Sequence, residues 1–334
     1  MQKALEGQTS LVTGAAQGLG QVAALALSQA GAAVAVTDIN APGLAETVAL
    51  LEKTGGRVVS HIADISDSQS VQGLSLAVQK RLGPLDLLVN NAATLGPVGQ
   101  PWQVDAEDYW RTFEVNMRGS FLVTRAFLPA MLERRRGRII DVVTGAVSQP
   151  YIHCAAYANS KSALVAWTNS LGAAIKEHGI CVFAINPGQM TTRTGMGQQV
   201  AERPEHRRFN PQVAAMLAQG GGEPPETAAR LIVRLAAGEA DVLTGRYIGV
   251  HHDLDNMLRR SDEILRDDLY TLRIRKLQSQ DTLTPAQVEP TSVRVVAGSA
   301  SSPTVPGRII LLPADLSCPG WRTGEMPRLN ARHT

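Results

Sequence analysis

Tyr157 and Lys161, in Tyr157-Ala158-Asn159-Ser160-Lys161, stand four residues apart and share one face if this stretch is helical. A free phenol with a pKa near ~10 is a poor base at neutral pH. A nearby ammonium stabilises the phenolate and lowers that value toward the working range, so the pair can take a proton from a substrate oxygen or return one. Such pairs also arise by chance on solvated helix faces. This one lies far downstream of a glycine-rich turn, Thr13-Gly14-Ala15-Ala16-Gln17-Gly18-Leu19-Gly20. A turn that can hold a dinucleotide pyrophosphate, followed by a pair that can move a proton, describes a redox site in which a nicotinamide moves a hydride.

The turn reads residue by residue. Gly14 supplies the positive φ of a tight turn, Gly18 lets backbone approach a pyrophosphate, and Gly20 allows the following helix to pack closely on the sheet. With Gln17 before it, the helix start near Leu19 offers free N–H groups and a positive dipole end to phosphate. The spacing, G-x-x-x-G-x-G, departs from the common G-x-G-x-x-G fingerprint. Asp38 ends the next apolar run, eighteen residues after Gly20. Its carboxylate can accept hydrogen bonds from adenosine ribose hydroxyls and would repel a 2′-phosphate. Ile39, Asn40, Ala15, Ala16 and Gln17 offer no cation for such a phosphate, so NAD(H) is favoured over NADP(H). The alternative is an Asp that only caps the turn. Asp64, with Ile65 beside it, is placed to meet the adenine amino group or to cap a helix, a role that Ser66 or Asp67 could take instead. Asn90-Asn91-Ala92-Ala93 ends another strand, and Asn91 and Ala92 are expected to brace the sheet edge with their backbone toward the cofactor.

The elements that must position these residues alternate along the chain. Apolar runs at about 10–12, 33–37, 57–63, 85–89, 138–143, 180–185 and 247–250 alternate with helical patterns at about 19–29, 106–134, 157–178 and 226–237. That order predicts an α/β fold: a doubly wound, Rossmann-type parallel sheet of about seven strands with helices on both faces. The polar residues singled out fall at or just beyond the carboxyl ends of the strands, the edge where open sheets of this kind form their ligand crevice.

With Asn116 and Pro187-Gly188 followed by Thr192, these motifs make residues 5–250 resemble the short-chain dehydrogenase/reductase family in its single-domain form. The resemblance implies that Tyr157 is the general acid/base, that Lys161 orients the nicotinamide ribose and tunes the Tyr, that Asn116 supports a water-mediated proton relay through the Lys, and that Thr192 contacts the nicotinamide carboxamide. Pro187 and Gly188 join the cofactor contacts. It also implies a homodimer or homotetramer assembled through the two long helices. Two positions depart from the family pattern. Ala93 replaces a glycine, which narrows the space beside the nicotinamide. Thr144 stands thirteen residues before Tyr157, where a serine is usual. Its hydroxyl can still donate to a substrate oxygen, while its added methyl restricts χ1 and takes up pocket volume. Ser148 is the alternative donor but fits the spacing less well. The candidate catalytic set is therefore Asn116, Thr144, Tyr157 and Lys161. Thr94, His153 and Gln189 are the candidate substrate contacts, and no metal site is expected.

Composition bounds the rest. The chain has 334 residues, 44% hydrophobic and 19% charged, with a formal net charge of +2, a soluble globular profile without the charge excess of a nucleic-acid or membrane-surface protein. Cys154, Cys181 and Cys318 are odd in number and lack metal-ligand spacing. With no apolar run long enough to span a bilayer and no leader pattern, the expectation is a reduced, cytoplasmic protein. The organisation read here is a catalytic domain over 1–252, a charged helical extension over 253–277 that packs on its own domain or on a partner subunit, and a Pro/Ser-rich tail over 278–334, disordered or loosely attached. The segment from Gln189 to Gly222 carries Arg193, Arg203, Arg207, Arg208 and His206, which suit a solvated basic lid better than an anion site. Trp102 and Trp110 suit core or interface packing. Two other readings stay open: a non-catalytic NAD(H) sensor or scaffold on the same fold, and an epimerase or dehydratase that uses Tyr, Lys and NAD. The latter usually needs a larger C-terminal substrate domain.

Overall fold

Apolar, β-branched stretches alternating with helical ones fold, in a computed structural model that describes residues 3–190 and 195–274, into one parallel sheet with helices on both faces. In chain order the elements are β1 (Thr9–Thr13), α1 (Gly18–Gln29), β2 (Ala33–Asp38), α2 (Ala41–Glu52), β3 (Val58–Ile62), α3 (Ser68–Leu82), β4 (Leu87–Asn90), α4 (Ala106–Phe113), α5 (Ser120–Arg134), β5 (Gly137–Val142), α6 (Ala155–Ile175) and β6 (Ile180–Asn186). Three short helices follow, α7 (Met196–Glu202), α8 (Pro204–Phe209) and α9 (Pro211–Ala218), then α10 (Pro225–Ala236), β7 (Tyr247–Gly249), α11 (Leu254–Arg259) and α12 (Ser261–Arg266).

The strand order is β3-β2-β1-β4-β5-β6-β7, with every pairing parallel. Chain direction across the sheet reverses beside β1, so the crevice of the fold opens where β1 and β4 end, at Gly14 and Asn91. The strands read as near-continuous apolar runs because both faces are covered. Alternate residues nonetheless divide between two cores. Val12, Val34, Val36, Val89 and Ile140 pack toward α1, α2 and α10. Leu11, Ala35, Leu88, Ile139 and Val182 pack toward α3, α5 and α6. Each such Val, Leu or Ile side chain, fully buried, contributes about 1.5–3 kcal/mol.

The helical pattern over 106–134 is not one regular helix. A π-helical turn, Glu114–Gly119, joins α4 to α5. An extra residue in one turn escapes a 3.6-residue periodicity, and such turns often mark functional positions. The segment after β6, read in the sequence as a solvated basic lid, holds α7, α8 and α9. Proline at the start of α8 and α9 pre-sets their first turns, and helices of six to eight residues are too short to show a periodic face. Of the 253–277 extension, the described part forms α11 and α12, whose Leu254, Met257 and Ile264 join the α1/α10 core. Beyond α12, Tyr270 accepts a backbone hydrogen bond from Tyr247 along the free edge of β7. The tail over 278–334 and Thr192 lie outside the described residues. No helix among the described residues is long and apolar enough to cross a membrane.

Candidate functional site

At the crevice, a cavity of about 510 Å³ runs along the carboxyl edge of the sheet. Its floor is the glycine-rich turn. Gly14 (φ +66°) and Gly18 (φ +57°) are both left-handed. A Cβ on Gly14 would lie 2.6 Å from the Ala92 Cα, so the turn can approach β4 this closely only with glycine there. A Cβ on Gly18 would meet no atom within 4 Å and would stand in open space at the cavity wall. Gly20 works differently from the expectation of helix-on-sheet packing. Its Cβ would fall 2.1 Å from the Gly14 carbonyl oxygen, so it is the turn itself that α1 crowds.

Asn91 holds this turn in place. Its Nδ2 donates to the carbonyls of Thr13 (2.9 Å) and Gly14 (3.0 Å), while its backbone N–H and that of Ala92 donate to Thr13 Oγ1 (3.0 and 3.1 Å). The start of α1 is uncapped. Gln17 sits at the cap position with no side-chain hydrogen bond, and the first turn holds no acidic residue. By contrast, Asn40, Asp67 and Asp105 cap α2, α3 and α4 with their side chains. The first N–H groups of α1 thus face the cavity at Gly18 and Leu19 as a positive dipole end with no protein anion.

Asp38 closes one end of the cavity. Its carboxylate accepts from the backbone N–H groups of Ala16 (3.0 Å) and Asn40 (2.9 Å), which ties the turn to the end of β2. Asp64 lines the same end with Ile65 but is not a helix cap, because Asp67 caps α3. Asp64 Oδ1 accepts from the Ser66 N–H (2.8 Å) and hydroxyl (2.6 Å), and Oδ2 pairs with Arg111 (3.1 Å). Burial alone would raise the Asp64 carboxyl, but the hydrogen bonds from Ser66 and Arg111 outweigh it and hold the group below its ordinary value. Arg111, a cavity residue that the sequence reading missed, also pairs with Glu114 at 3.0 Å. Forty-seven residues separate Arg111 from Asp64, and nothing in the local pattern marks it.

Tyr157 and Lys161 line the other end. The Thr144 hydroxyl stands near enough to the Tyr157 phenol to lower its pKa, and it accepts from the Ala146 N–H at 3.3 Å. The Ser148 hydroxyl turns instead to the Gly145 carbonyl at 2.8 Å, so of the two candidates Thr144 stands against the Tyr. Burial pushes the phenol up, Tyr151 and Cys154 add to the rise, and the Thr144 hydrogen bond lowers it. The expected lowering by Lys161 is not what this arrangement produces. Lys161, 1% exposed, donates Nζ to the Val142 carbonyl at 2.7 Å. Burial pushes that ammonium down to about 8 against the opposing pull of Asp141.

Asn116, within the π-helical turn, is buried and fully engaged. Its Oδ1 accepts from the Thr94 N–H (2.8 Å), and its Nδ2 donates to the Thr94 carbonyl (2.9 Å) and to Ser160 Oγ (3.0 Å). Ser160 in turn donates to the Tyr157 carbonyl (2.8 Å). One amide thus ties the loop after β4 to the helix that carries Tyr157 and Lys161.

Of the candidate substrate contacts, Thr94 lines the cavity, with Leu95, Val143, Met190 and Met196 as apolar neighbours. Gln189 and His153 are not among the lining residues. The Gln189 carbonyl accepts from the Glu223 N–H (2.7 Å), and the His153 ring packs on Phe209 at 4.6 Å. Pro187 lines the cavity, and Gly188 (φ +77°) turns the chain beside it. Arg203, Arg207 and Arg208 are exposed, and Arg208 lies over the Phe209 ring. Trp102 and Trp110 are exposed at 77% and 60%, which excludes the core for both.

Residues 8–204 match the family model described as short chain dehydrogenase. A short chain dehydrogenase of Monascus ruber is 32% identical over 270 residues, covering 79% of this chain and 85% of the relative. Among solved structures, an NAD⁺-bound xylitol dehydrogenase is 26% identical with a TM-score of 0.67, covering 73% of this chain and 98% of that one. The actinorhodin polyketide ketoreductase with NADPH is 29% identical with a TM-score of 0.65, covering 75% and 97%.

Proposed function

This chain belongs to the short-chain dehydrogenase/reductase family, and we propose that it is an NAD(H)-dependent oxidoreductase that interconverts a secondary alcohol and a ketone. The observation that carries the reading is one cavity lined by the Tyr157 phenol and Lys161 as well as by the Asp38 carboxylate and the glycine-rich turn. The residues fit a dinucleotide. Gly18 leaves space where a Cβ would stand, α1 presents uncapped N–H groups there, and Asp38 offers a carboxylate suited to ribose hydroxyls. When bound, the nicotinamide supplies the hydride acceptor or donor.

The protein's own groups handle the proton. In reduction, Thr144 donates a hydrogen bond to the carbonyl oxygen and Tyr157 delivers its phenolic proton as the alkoxide forms. A phenol held above its ordinary value stays loaded for that step throughout the neutral range. In oxidation the same oxygen must lose its proton to Tyr157, and the Thr144 hydroxyl is the neighbour that favours the phenolate. Asn116 keeps Thr94, Ser160 and the start of α6 in register, so the reacting groups are positioned before substrate arrives.

Asp38 and the uncharged Ile39 and Asn40 beside it on the cavity wall support NAD(H) over NADP(H). Arg111, the cation of that end, is already paired with Asp64 and Glu114. The structural neighbours differ here, one holding NAD⁺ and the other NADPH. A homodimer or homotetramer is proposed as well. Exposed Trp110 in a cluster with Tyr109 and Phe113 on α4, together with the separate Phe121–Trp167 pair of α5 and α6, supports those helices as the contact. The test is a panel of secondary alcohols and ketones run with NAD⁺ and NADP⁺ in parallel, followed by reduced-nicotinamide absorbance. Tight NADH binding without turnover of any member would replace the enzyme reading with that of a sensor.

A further inference from the structure

Asp141 is a carboxylate in the middle of the apolar run Ile139-Ile140-Asp141-Val142-Val143, on β5, with no exposed surface. Both of its oxygens are held. Oδ1 accepts from Asn90 Nδ2 (2.8 Å), its register partner on β4, and Oδ2 accepts from Thr168 Oγ1 (2.7 Å) on α6. Asn90 Nδ2 also donates to Thr124 Oγ1 on α5 (3.0 Å). On the other side β6 presents Ala184 in register. The immediate surround from β4, α5 and β6 is therefore neutral.

The charge that answers Asp141 comes from α6. Thr168 and Lys161 are seven residues apart, two turns along one face, and both reach β5. Thr168 bonds the Asp141 side chain, and Lys161 bonds the carbonyl of the next residue, Val142. Tyr157, one turn further along α6, is the remaining titratable group on that stretch of the face. An asparagine would satisfy the same hydrogen bonds without the desolvation that a buried carboxylate suffers. What the carboxylate adds is charge, and the cation that α6 brings beside it is Lys161, whose Nζ bonds the carbonyl of the adjacent Val142 rather than the carboxylate itself.

We propose that Asp141 is a positioning residue for the reaction: a wholly buried carboxylate that serves as counter-ion to the Lys161 ammonium from beneath the sheet edge. It touches neither substrate nor reacting atoms, and it acts through the lysine. Burial pushes the Asp141 carboxyl up to about 6 while hydrogen bonds from Asn90 and Thr168 and the Lys161 charge resist, and Lys161 is pushed down to about 8. The pair is thus doubly charged between those values. Above them the ammonium is lost, and below them the counter-ion is lost.

The proposal rests on the redox reading for its consequence, while its test does not need turnover. Full-length, cofactor-free protein carrying lysine labelled with ¹³C at Cε is titrated by NMR, with Lys161→Met assigning the resonance. Asp141→Asn is expected to lower the Lys161 midpoint by about one unit or more, a tenfold smaller charged fraction above that midpoint. In turnover the same variant loses activity mainly on the alkaline side, about fivefold at the wild-type Lys161 midpoint, approaching tenfold well above it, and far less near neutrality. If Asp141→Asn does not fold, Thr168→Val removes one donor to the carboxylate, weakens the counter-ion and lowers the same midpoint. An unchanged Lys161 midpoint in the folded variant, with a uniform loss of rate at all pH values, overturns the proposal and leaves Asp141 a packing residue. A wild-type protein that turns over no substrate overturns the redox reading, and the midpoint still decides the pair.

Discussion

Gly18→Ala separates binding from stability at the glycine-rich turn. The residue sits at φ +57°, and the methyl would meet nothing within 4 Å. The left-handed conformation costs an L-residue about 1–2 kcal/mol. Restricting the unfolded chain returns about 0.4–1 kcal/mol of that. The net loss is therefore about 1 kcal/mol, roughly 2–4 °C in Tm for a domain of this size. Because the methyl enters the cavity where a phosphate would meet the uncapped start of α1, NADH affinity should fall at least ~10-fold, about 1.4 kcal/mol. Gly20→Ala is the contrast. Its Cβ falls 2.1 Å from the Gly14 oxygen and 2.6 Å from Asn91 Nδ2, so backbone must shift. Overpacking of that kind costs about 1–3 kcal/mol or more. Thermal denaturation without cofactor and NADH fluorescence titration read the two quantities separately. The expected order is a larger Tm loss for Gly20→Ala and, for Gly18→Ala, an affinity loss out of proportion to its small Tm loss. A folded Gly18→Ala protein with wild-type affinity would refute the reasoning, because the pyrophosphate could not then lie over that residue.

Tyr157→Phe removes the proton donor and should lower kcat by about 10²–10⁴-fold while NADH binding persists; an active variant sinks the assigned role. Thr144→Ser keeps the hydroxyl and frees the methyl's space, so turnover should hold, whereas Thr144→Val should lose about 10²–10³-fold; equal activities in steady-state assays would shift the oxygen-binding role away from Thr144. Asp38→Asn combined with Ile39→Arg removes the carboxylate and supplies a cation, and the NADP⁺/NAD⁺ ratio of kcat/KM should rise at least ~10-fold, about 1.4 kcal/mol; an unchanged ratio would mean that the ribose end lies elsewhere. Asp141 also has a stability signature. Its folded value, about 6, lies above the ordinary carboxylate value, so the stability it contributes is present in acid and lost as pH rises through 6. Two units correspond to an upper bound of ~3 kcal/mol. Wild-type Tm should fall relative to Asp141→Asn between pH 4 and 6, and parallel Tm profiles would contradict this.

What could be read before folding was whatever acts through the backbone or through fixed spacing. Gly14 announces a left-handed turn by being glycine, Gly18 announces a close backbone approach, and the helical spacing of Tyr157 and Lys161 survives into α6. Asp38 is visible because it ends an apolar run at a countable distance from the turn. A parallel sheet with its site at the carboxyl edge follows from strand–helix alternation, while the strand order comes from the fold itself. What escaped depends on distant partners. Arg111 belongs to the site only because α4 lays it against Asp64. Asn116 acts as a clamp because an extra residue in one helical turn directs it to Thr94 and Ser160. The Lys161 effect on the phenol was inferred from sequence adjacency, yet the ammonium's direction is set by where β5 presents a carbonyl and a carboxylate. That last element was legible in part, since a lone Asp inside Ile139-Ile140-Asp141-Val142-Val143 breaks an apolar strand that has no solvent face. A charge buried at that cost needs an opposite charge within reach. Among the groups gathered at the sheet edge, the parallel β4–β5 register and the two-turn interval on α6 leave Lys161 to supply it.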